Sequence, residues 1–123
     1  MTDTTWFVDV MNVVGSRPDG WWRDRKGAMA SVVAALDDFA RSSGDGAIAV
    51  LDGRPFALEA AEVMVVFAPG GPNAADKEIL RLIASDTRDK VVVTSDRDLA
   101  ERAKALGARV MGAGKFRSIL DHS

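Results

Sequence analysis

The sequence predicts an α/β fold built on a parallel sheet, and two observations support this prediction. Short apolar runs such as residues 47–51 and 91–94 have the length and the β-branched content of buried strands. Longer segments with apolar residues at helical spacing alternate with them. Strands that alternate with helices form a parallel sheet covered on both faces. The 123 residues are enough for one such domain, 1–123.

The strands are predicted from apolar runs that end at turn residues. They are expected at residues 6–11, 47–51, 63–67, 91–94 and 109–111. The first is unusual because Asp9 lies inside it, where an acidic residue is disfavoured. Asp52 directly follows the second strand, and Asp96 closely follows the fourth.

Helices are predicted between these strands and after the last one. They are expected at residues 24–41, 73–85, 95–107 and 115–120. Gly44 ends the first helix, and Gly107 ends the third. Asn73, after a turn-rich loop at 69–72, is expected to cap the second helix, and Ser95 the third.

Composition excludes several classes of protein. The chain has no Cys, which rules out disulfides and thiolate metal sites and suits a reducing compartment. Its first residues lack the basic segment of a secretory signal, and no apolar run could span a membrane. A cytoplasmic protein without a membrane partner is therefore expected. The net charge of −2 means that nucleic-acid binding would need a local basic patch. The single His122 argues against a His-dependent mechanism.

Four carboxylates carry the functional prediction. Asp9, Asp52 and Asp96 lie at or just after predicted strands, and Asp76 opens a predicted helix. In a parallel α/β sheet the strand C-termini share one edge, where ligands bind. Carboxylates that meet there repel one another unless a cation holds them, and oxygen-only sites favour Mg²⁺ or Mn²⁺.

Each carboxylate also has a structural interpretation. Asp76 lies on the apolar face of its helix, which favours a ligand, but it could equally cap that helix. Asp96 shares the core side of its helix and Asp98 does not, so Asp96 is the better ligand and Asp98 is structural or an additional ligand. Asp9 could bond to the following turn, and Asp52 more often belongs to a turn.

The loop after the first strand combines aromatic and cationic residues. Trp21 and Trp22 are adjacent, and Arg17, Arg23 and Arg25 surround them. Such a combination suits single-stranded nucleic acid, because bases stack on the rings while cations meet phosphates. The alternative is a hydrophobic lid that packs a Trp on the core. Both interpretations hold if one of the two Trp rings points inward and the other points outward.

Several short motifs occur in order along nearly the whole chain. They are Asp9-Val10-Met11-Asn12 with Val13-Val14-Gly15, Leu51-Asp52-Gly53, Val65-Val66-Phe67, Ala74-Ala75-Asp76-Lys77-Glu78-Ile79, Val93-Thr94-Ser95-Asp96 and Gly112-Ala113-Gly114. Together they resemble the PIN-like NYN nucleases, specifically the YacP-like branch. The resemblance implies a PIN-like three-layer sandwich with a sheet ordered 3-2-1-4-5. It also implies metal-dependent endoribonuclease activity on RNA, with some relatives acting at the ribosome.

The resemblance also implies roles for particular residues. Asp9, Asp76 and Asp96 match the positions that hold Mg²⁺ or Mn²⁺, and Asn12 matches the polar residue beside them. Asp98 matches an acidic position found in many PIN-like proteins. This chain has Val-Met before Asn12, where the family has a small, Gly-containing pair. It also stops soon after residues 116–120, where relatives often continue with a longer helix.

The leading prediction is a single-domain Mg²⁺- or Mn²⁺-dependent endoribonuclease. Its RNA would be positioned by Arg17, Trp21, Trp22, Arg23 and Arg25. The alternative is a non-catalytic RNA-binding or partner-binding module on the same scaffold, which divalent-ion binding at the acidic cluster would distinguish. A phosphoryl-transfer or receiver-like domain is disfavoured because its acidic motifs are missing. A Rossmann cofactor site is disfavoured because the first strand leads into no Gly-rich turn.

Overall fold

Five parallel strands form the central sheet, in the order β3-β2-β1-β4-β5. In the computed structural model, which describes residues 4–71 and 73–122, the strands are β1 Thr4–Asp9, β2 Gly46–Asp52, β3 Met64–Ala68, β4 Asp89–Val93 and β5 Arg109–Met111. All four pairings between neighbouring strands are parallel. The predicted α/β class and strand order are confirmed. Residues 1–3, where a secretory signal would start, and Pro72 of the predicted loop lie outside the described residues.

Helices cover both faces of this sheet. They are α1 Val10–Val14, α2 Arg25–Ser43, α3 Ala74–Ala84, α4 Arg97–Ala105 and α5 Ala113–Asp121, with a single 3-10 turn at Trp21–Arg23. Side chains from α1, α2 and α5 form one core cluster and those from α3 and α4 form the other. Successive strand residues alternate between the two clusters, so Val8 joins the first and Phe7 the second. None of the described helices has the length and apolar character needed to cross a membrane.

The predicted end of the first strand is wrong. The strand stops at Asp9, and the next residues begin the short helix α1, which the sequence analysis missed. Alternating and helical patterns cannot be told apart over so few apolar residues. The helix buries Val10, Val13 and Val14 against the core. This early turn brings Asp9 to the edge of the sheet instead of its middle.

Of the two predicted helix caps, Ser95 is wrong, and Asn73 is confirmed in its position but not in its side-chain bond. Ser95 does not cap α4; Asp96 is the N-cap, and its Oδ1 accepts the N–H of Leu99 at 2.9 Å. Ser95 Oγ instead accepts the N–H of Ala113 at 2.9 Å. Asn73 does occupy the N-cap position of α3, but its backbone is left-handed, with φ of 63°, and its side chain makes no capping hydrogen bond.

The connection between β2 and β3 is attached to α2 at two points. The carboxylate of Asp37 accepts the N–H groups of three successive residues, 61–63, at 2.8, 2.8 and 2.9 Å. Earlier in the connection, the Phe56 ring packs edge-on against Phe67, with 5.3 Å between centroids. The Lys26 ammonium lies 5.6 Å from the centroid of the Phe56 ring. The connection is therefore held in place although it has no regular secondary structure.

Replacing Asp37 should loosen this connection and destabilise the protein. We expect Asp37→Asn to lower the free energy of unfolding at neutral pH by about 1–3 kcal/mol, because hydrogen bonds to a charged acceptor are lost. The three amides hold the folded-state pKa of Asp37 below its usual 3.8. The stabilisation by Asp37 is thus present above pH 4 and is lost as the pH falls through the lowered pKa. The wild type and Asp37→Asn should therefore have similar free energies of unfolding in acid.

Urea unfolding at several pH values measures this difference. Asp38→Asn is the matched control, because the carboxylate of Asp38 is exposed and pairs, within the described part of the chain, with Arg41 of the same helix. Equal effects of the two substitutions would contradict the assigned role of Asp37.

Candidate active site

Side-chain alternation along three neighbouring strands directs polar groups to one place. The last strand side chains in the α3–α4 core cluster belong to Phe7, Val50 and Val92. Two residues further along the chain, on the same side of the sheet, lie Asp9, Asp52 and Thr94, the last of them directly after the end of β4. Because the strands are parallel, these three residues share the C-terminal edge of the sheet. The helices α3 and α4 begin at the same edge.

Asp9 is a buried carboxylate at the end of the central strand, with 3% of its surface exposed. Burial raises its pKa from 3.8 to about 7, and the carboxylates of Asp76 and Asp52 contribute to the rise. The backbone of Asn12 and the hydroxyl of Thr94, 3.4 Å from Oδ2, oppose it. At neutral pH this carboxyl group is therefore ready to hold either a proton or a cation.

Asp76 is half-buried in the first turn of α3. Burial raises its pKa, and the carboxylates of Asp96, Asp52 and Asp98 raise it further. Among the described residues, no cation or hydrogen-bond donor acts on this carboxyl group to oppose the rise. The apolar-face position therefore did place the side chain among other carboxylates, and the alternative of a helix-capping bond is not observed.

Asp52 and Asp96 are bound to helix N-termini. Asp52 Oδ1 accepts the N–H of Ala75 at 2.9 Å, so this carboxylate caps α3 from a neighbouring strand. Asp96 caps its own helix α4, as described above. Both carboxylates complement the positive end of a helix dipole. Asp98 is exposed and pairs with Arg102 at 3.1 Å, on the side of α4 away from the core.

Two polar residues connect these carboxylates. The Thr94 hydroxyl donates to Asp9 and accepts the N–H of Asp96 at 3.1 Å. Asn12 Oδ1 accepts the N–H of Ser95 at 2.8 Å, which joins the turn after β1 to the turn after β4. The sequence analysis missed Thr94, although its spacing of two from Val92 could have shown that it faces the same side as Asp9.

The carboxylates share one electrostatic environment but do not form a closed cage. In residues 4–71 and 73–122, no three His, Cys, Asp or Glu side chains form a group that could hold a metal ion. Mg²⁺, however, usually keeps several waters and binds through one or two carboxylates together with substrate phosphates. An open set of oxygen donors that repel one another fits such an ion. The structure thus places the predicted ligands at one edge of the sheet without closing them into a metal-binding group, and their role as ligands stays a prediction.

Two neighbouring clefts open at this edge. The acidic cleft, of about 340 Å³, is lined by Asp76, Asp96, Asp98 and Lys77 among others. The second cleft, of about 540 Å³, contains Asp52. Asn73 borders both, so the two clefts are adjacent.

The predicted RNA-binding residues divide into two groups. Trp21 packs against the core, whereas Trp22 is 55% exposed, which matches the interpretation with one ring inward and one outward. The guanidinium of Arg23 lies 6.0 Å from the Trp22 ring centroid, and that of Arg25 lies 5.9 Å from the Trp21 centroid. Arg17 instead forms an ion pair with Asp121 of α5. Of the five residues predicted to bind RNA, Arg25 is the one that lines either of the two clefts, and it shares its cleft with Asp52.

Two solved structures of Rae1 (YacP) from Bacillus subtilis are similar to this chain. A point mutant of Rae1 matches with a TM-score of 0.79 and 19% identity, over 96% of this chain and 74% of that one. A second Rae1 structure matches with a TM-score of 0.78 and 20% identity, over the same shares of the two chains. No family model and no curated protein sequence matches. The structural similarity establishes a YacP-like fold.

Removing the charge of Asp9 should stabilise the metal-free protein at high pH. The folded pKa of about 7 lies above the unfolded value of 3.8, so the wild type loses stability as the pH rises between these values. Asparagine does not titrate. The advantage of Asp9→Asn should therefore grow from about pH 4 to pH 7, by up to about 4 kcal/mol. Urea unfolding with EDTA at several pH values measures this difference. If the stabilities of the wild type and Asp9→Asn changed in parallel with pH, the raised pKa of Asp9 would be contradicted.

Proposed function

We propose that this protein is a divalent-metal-dependent endoribonuclease of the PIN-like NYN type. The observation that carries the proposal is the acidic cleft, in which the half-buried Asp76 lies with Asp96 and Asp98, and where burial and the carboxylates of Asp96, Asp52 and Asp98 raise the pKa of Asp76. Like charges held together at a partly buried site need a cation or protons to offset their repulsion. The YacP-like fold and the order of the motifs agree with this assignment.

Each acidic residue of the site would have a distinct role. Asp9, Asp76 and Asp96 would hold Mg²⁺ or Mn²⁺, with Asp98 as an additional ligand on the exposed side. Asp52, bonded to the N-terminus of α3, would stay behind them and set the position of Asp76. When bound, the ion would lower the pKa of a coordinated water and offset the charge that develops on the scissile phosphate.

The other polar residues would orient these groups. The Thr94 hydroxyl holds Asp9 and the backbone of Asp96 at the same time, so it sets their relative positions. Asn12 is anchored through its carbonyl oxygen to Ser95, and its NH₂ group would orient a water or a phosphate oxygen. Trp22, with Arg23 beside it, would stack on a base of the RNA.

A non-catalytic RNA-binding module on the same scaffold is the second candidate. It is favoured by the hydrogen bonds that already engage Asp52 and Asp96, and by the lack of a closed metal-binding group in the described part of the chain. The two candidates share the RNA surface. They differ in whether a divalent ion binds at the carboxylates.

Divalent ions should raise the melting temperature and be required for RNA cleavage. The reason is that they bind the folded carboxylate cluster and not the unfolded chain. Asp76→Asn should reduce the shift and slow cleavage at least about 100-fold, since even indirect partners of a metal are worth about 10–100-fold. Thermal melts with Mg²⁺ or Mn²⁺ and a cleavage assay on single-stranded RNA test this.

The matched control is Glu78→Gln, on the same helix. Its carboxylate pairs with Arg81 and contributes no shift to either Asp9 or Asp76. Intact RNA binding without any effect of divalent ions would instead favour the non-catalytic module.

Removing the exposed aromatic ring should weaken RNA binding. Stacking on a base is worth about 1–3 kcal/mol, so Trp22→Ala should lower the affinity for single-stranded RNA roughly tenfold or more. Fluorescence anisotropy with a labelled oligonucleotide measures this. Leu106→Ala, another exposed apolar side chain at the far end of α4, is the control. Unchanged affinity in both variants would leave the loop a structural lid.

A further inference from the structure

The cleft beside the acidic one is lined by two arginines. Arg25 is the first residue of α2, and Arg54 follows the end of β2 by two residues. The loop at 69–71 and Asn73 complete the wall described by the structure. Asn73 also lines the acidic cleft, so the two clefts lie next to each other at this edge of the sheet.

Neither arginine has an acidic partner among the described residues, whereas seven other arginines do. The Arg25 guanidinium lies over the Trp21 ring, 5.9 Å from its centroid, and this cation–π contact leaves its charge without a carboxylate partner among the described residues. The only carboxylate that lines this cleft in the described chain is Asp52, and it is bonded to the N–H of Ala75. The described wall of the cleft therefore carries two cations and one carboxylate, which leaves an excess of positive charge.

The backbone around Arg54 is held in place before any ligand binds. Gly53 donates its N–H to Ala68 at 3.2 Å and has a φ of 113°, a conformation that favours glycine. Phe56 then contacts Phe67 and Lys26, as described above. Arg54 thus extends from a short segment that is fixed at both ends beside the start of α2.

We propose that Arg25 and Arg54 bind an internal phosphodiester of the RNA strand, on one side of the scissile linkage. This inference rests on the proposed function. Guanidinium groups match phosphate oxygens with two parallel hydrogen bonds, and unpaired arginines lining a cleft favour such a ligand. A base would need an apolar or aromatic platform, and the exposed Trp22 ring, which packs edge-on against Trp21, offers one. The strand would run from Trp22, past the arginines, to the carboxylates.

RNA binding by two single variants tests the subsite. In an Asp9→Asn background with Mg²⁺, which prevents cleavage, Arg54→Gln and Arg25→Gln should each weaken binding of single-stranded RNA about three- to tenfold. Each should also reduce the slope of log affinity against log salt by about 0.7, the value for one phosphate contact on a single strand. Arg41→Gln, the same change at the other end of α2, should do neither.

A single neutral methylphosphonate linkage, placed at successive positions of the RNA, identifies the phosphate. At one position the neutral linkage should weaken binding to the parent protein but not to Arg54→Gln, because both changes remove the same contact. RNA with a 5′-hydroxyl should show this dependence as fully as RNA with a 5′-phosphate. Dependence on Arg54 only with the terminal phosphate would overturn the assignment to an internal linkage.

Cleavage kinetics separate this inference from the proposed function. With Asp9 restored, Arg54→Gln should raise KM and leave kcat nearly unchanged, as expected for loss of uniform binding. Normal cleavage with unchanged KM and affinity in both arginine variants would overturn the phosphate subsite alone. Arginine-dependent RNA binding without any cleavage would support the subsite and overturn the nuclease assignment.

Discussion

The burial of an ionisable carboxyl group at the end of the central strand is the constraint on which the rest of this edge depends. The strand β1 is paired with β4 as far as Val8, and Asp9 still pairs with Val50 of β2, so its side chain is held in a buried position. A charge in that position is costly unless a proton, a cation or hydrogen bonds offset it. Thr94 and the turn after β1 supply the hydrogen bonds. These hydrogen bonds offset only part of the charge of Asp9, so a proton or a cation is needed to offset the rest.

The carboxylates near Asp9 fall into two kinds. Asp52 and Asp96 each accept a backbone N–H at a helix N-terminus, where the helix dipole also favours a negative charge. Asp9 and Asp76 have raised pKa values because burial and neighbouring carboxylates act on them with little opposition. The first pair builds the ends of α3 and α4. A cation would lower the free energy most beside the second pair, Asp9 and Asp76, because their charges are the least compensated.

Helix α2 organises the other side of the edge. Asp24 caps it by accepting the N–H of Gly27, which places Arg25 at the mouth of the cleft. Asp37, three turns further along, holds the end of the connection that carries Arg54. One rigid element therefore sets the positions of both arginines relative to the sheet. A cationic cleft built in this way needs no net positive charge on the whole protein, and the chain has a net charge of −2.

The sequence by itself determined the fold class, the approximate positions of the strands and longer helices, and the edge at which the acidic residues meet. These follow from local periodicity and from the rule that parallel strands end on the same side. Only the tertiary structure decided the partners. Asp52 caps α3 from 23 residues away, in place of Asn73, and Asp96 displaces Ser95 as the cap of α4. Likewise, Arg54 lies beside Arg25 because a long connection is attached to α2. Such pairings depend on which groups, distant in the sequence, come close to a helix end or a cleft once the sheet is assembled. No local sequence pattern encodes these spatial distances.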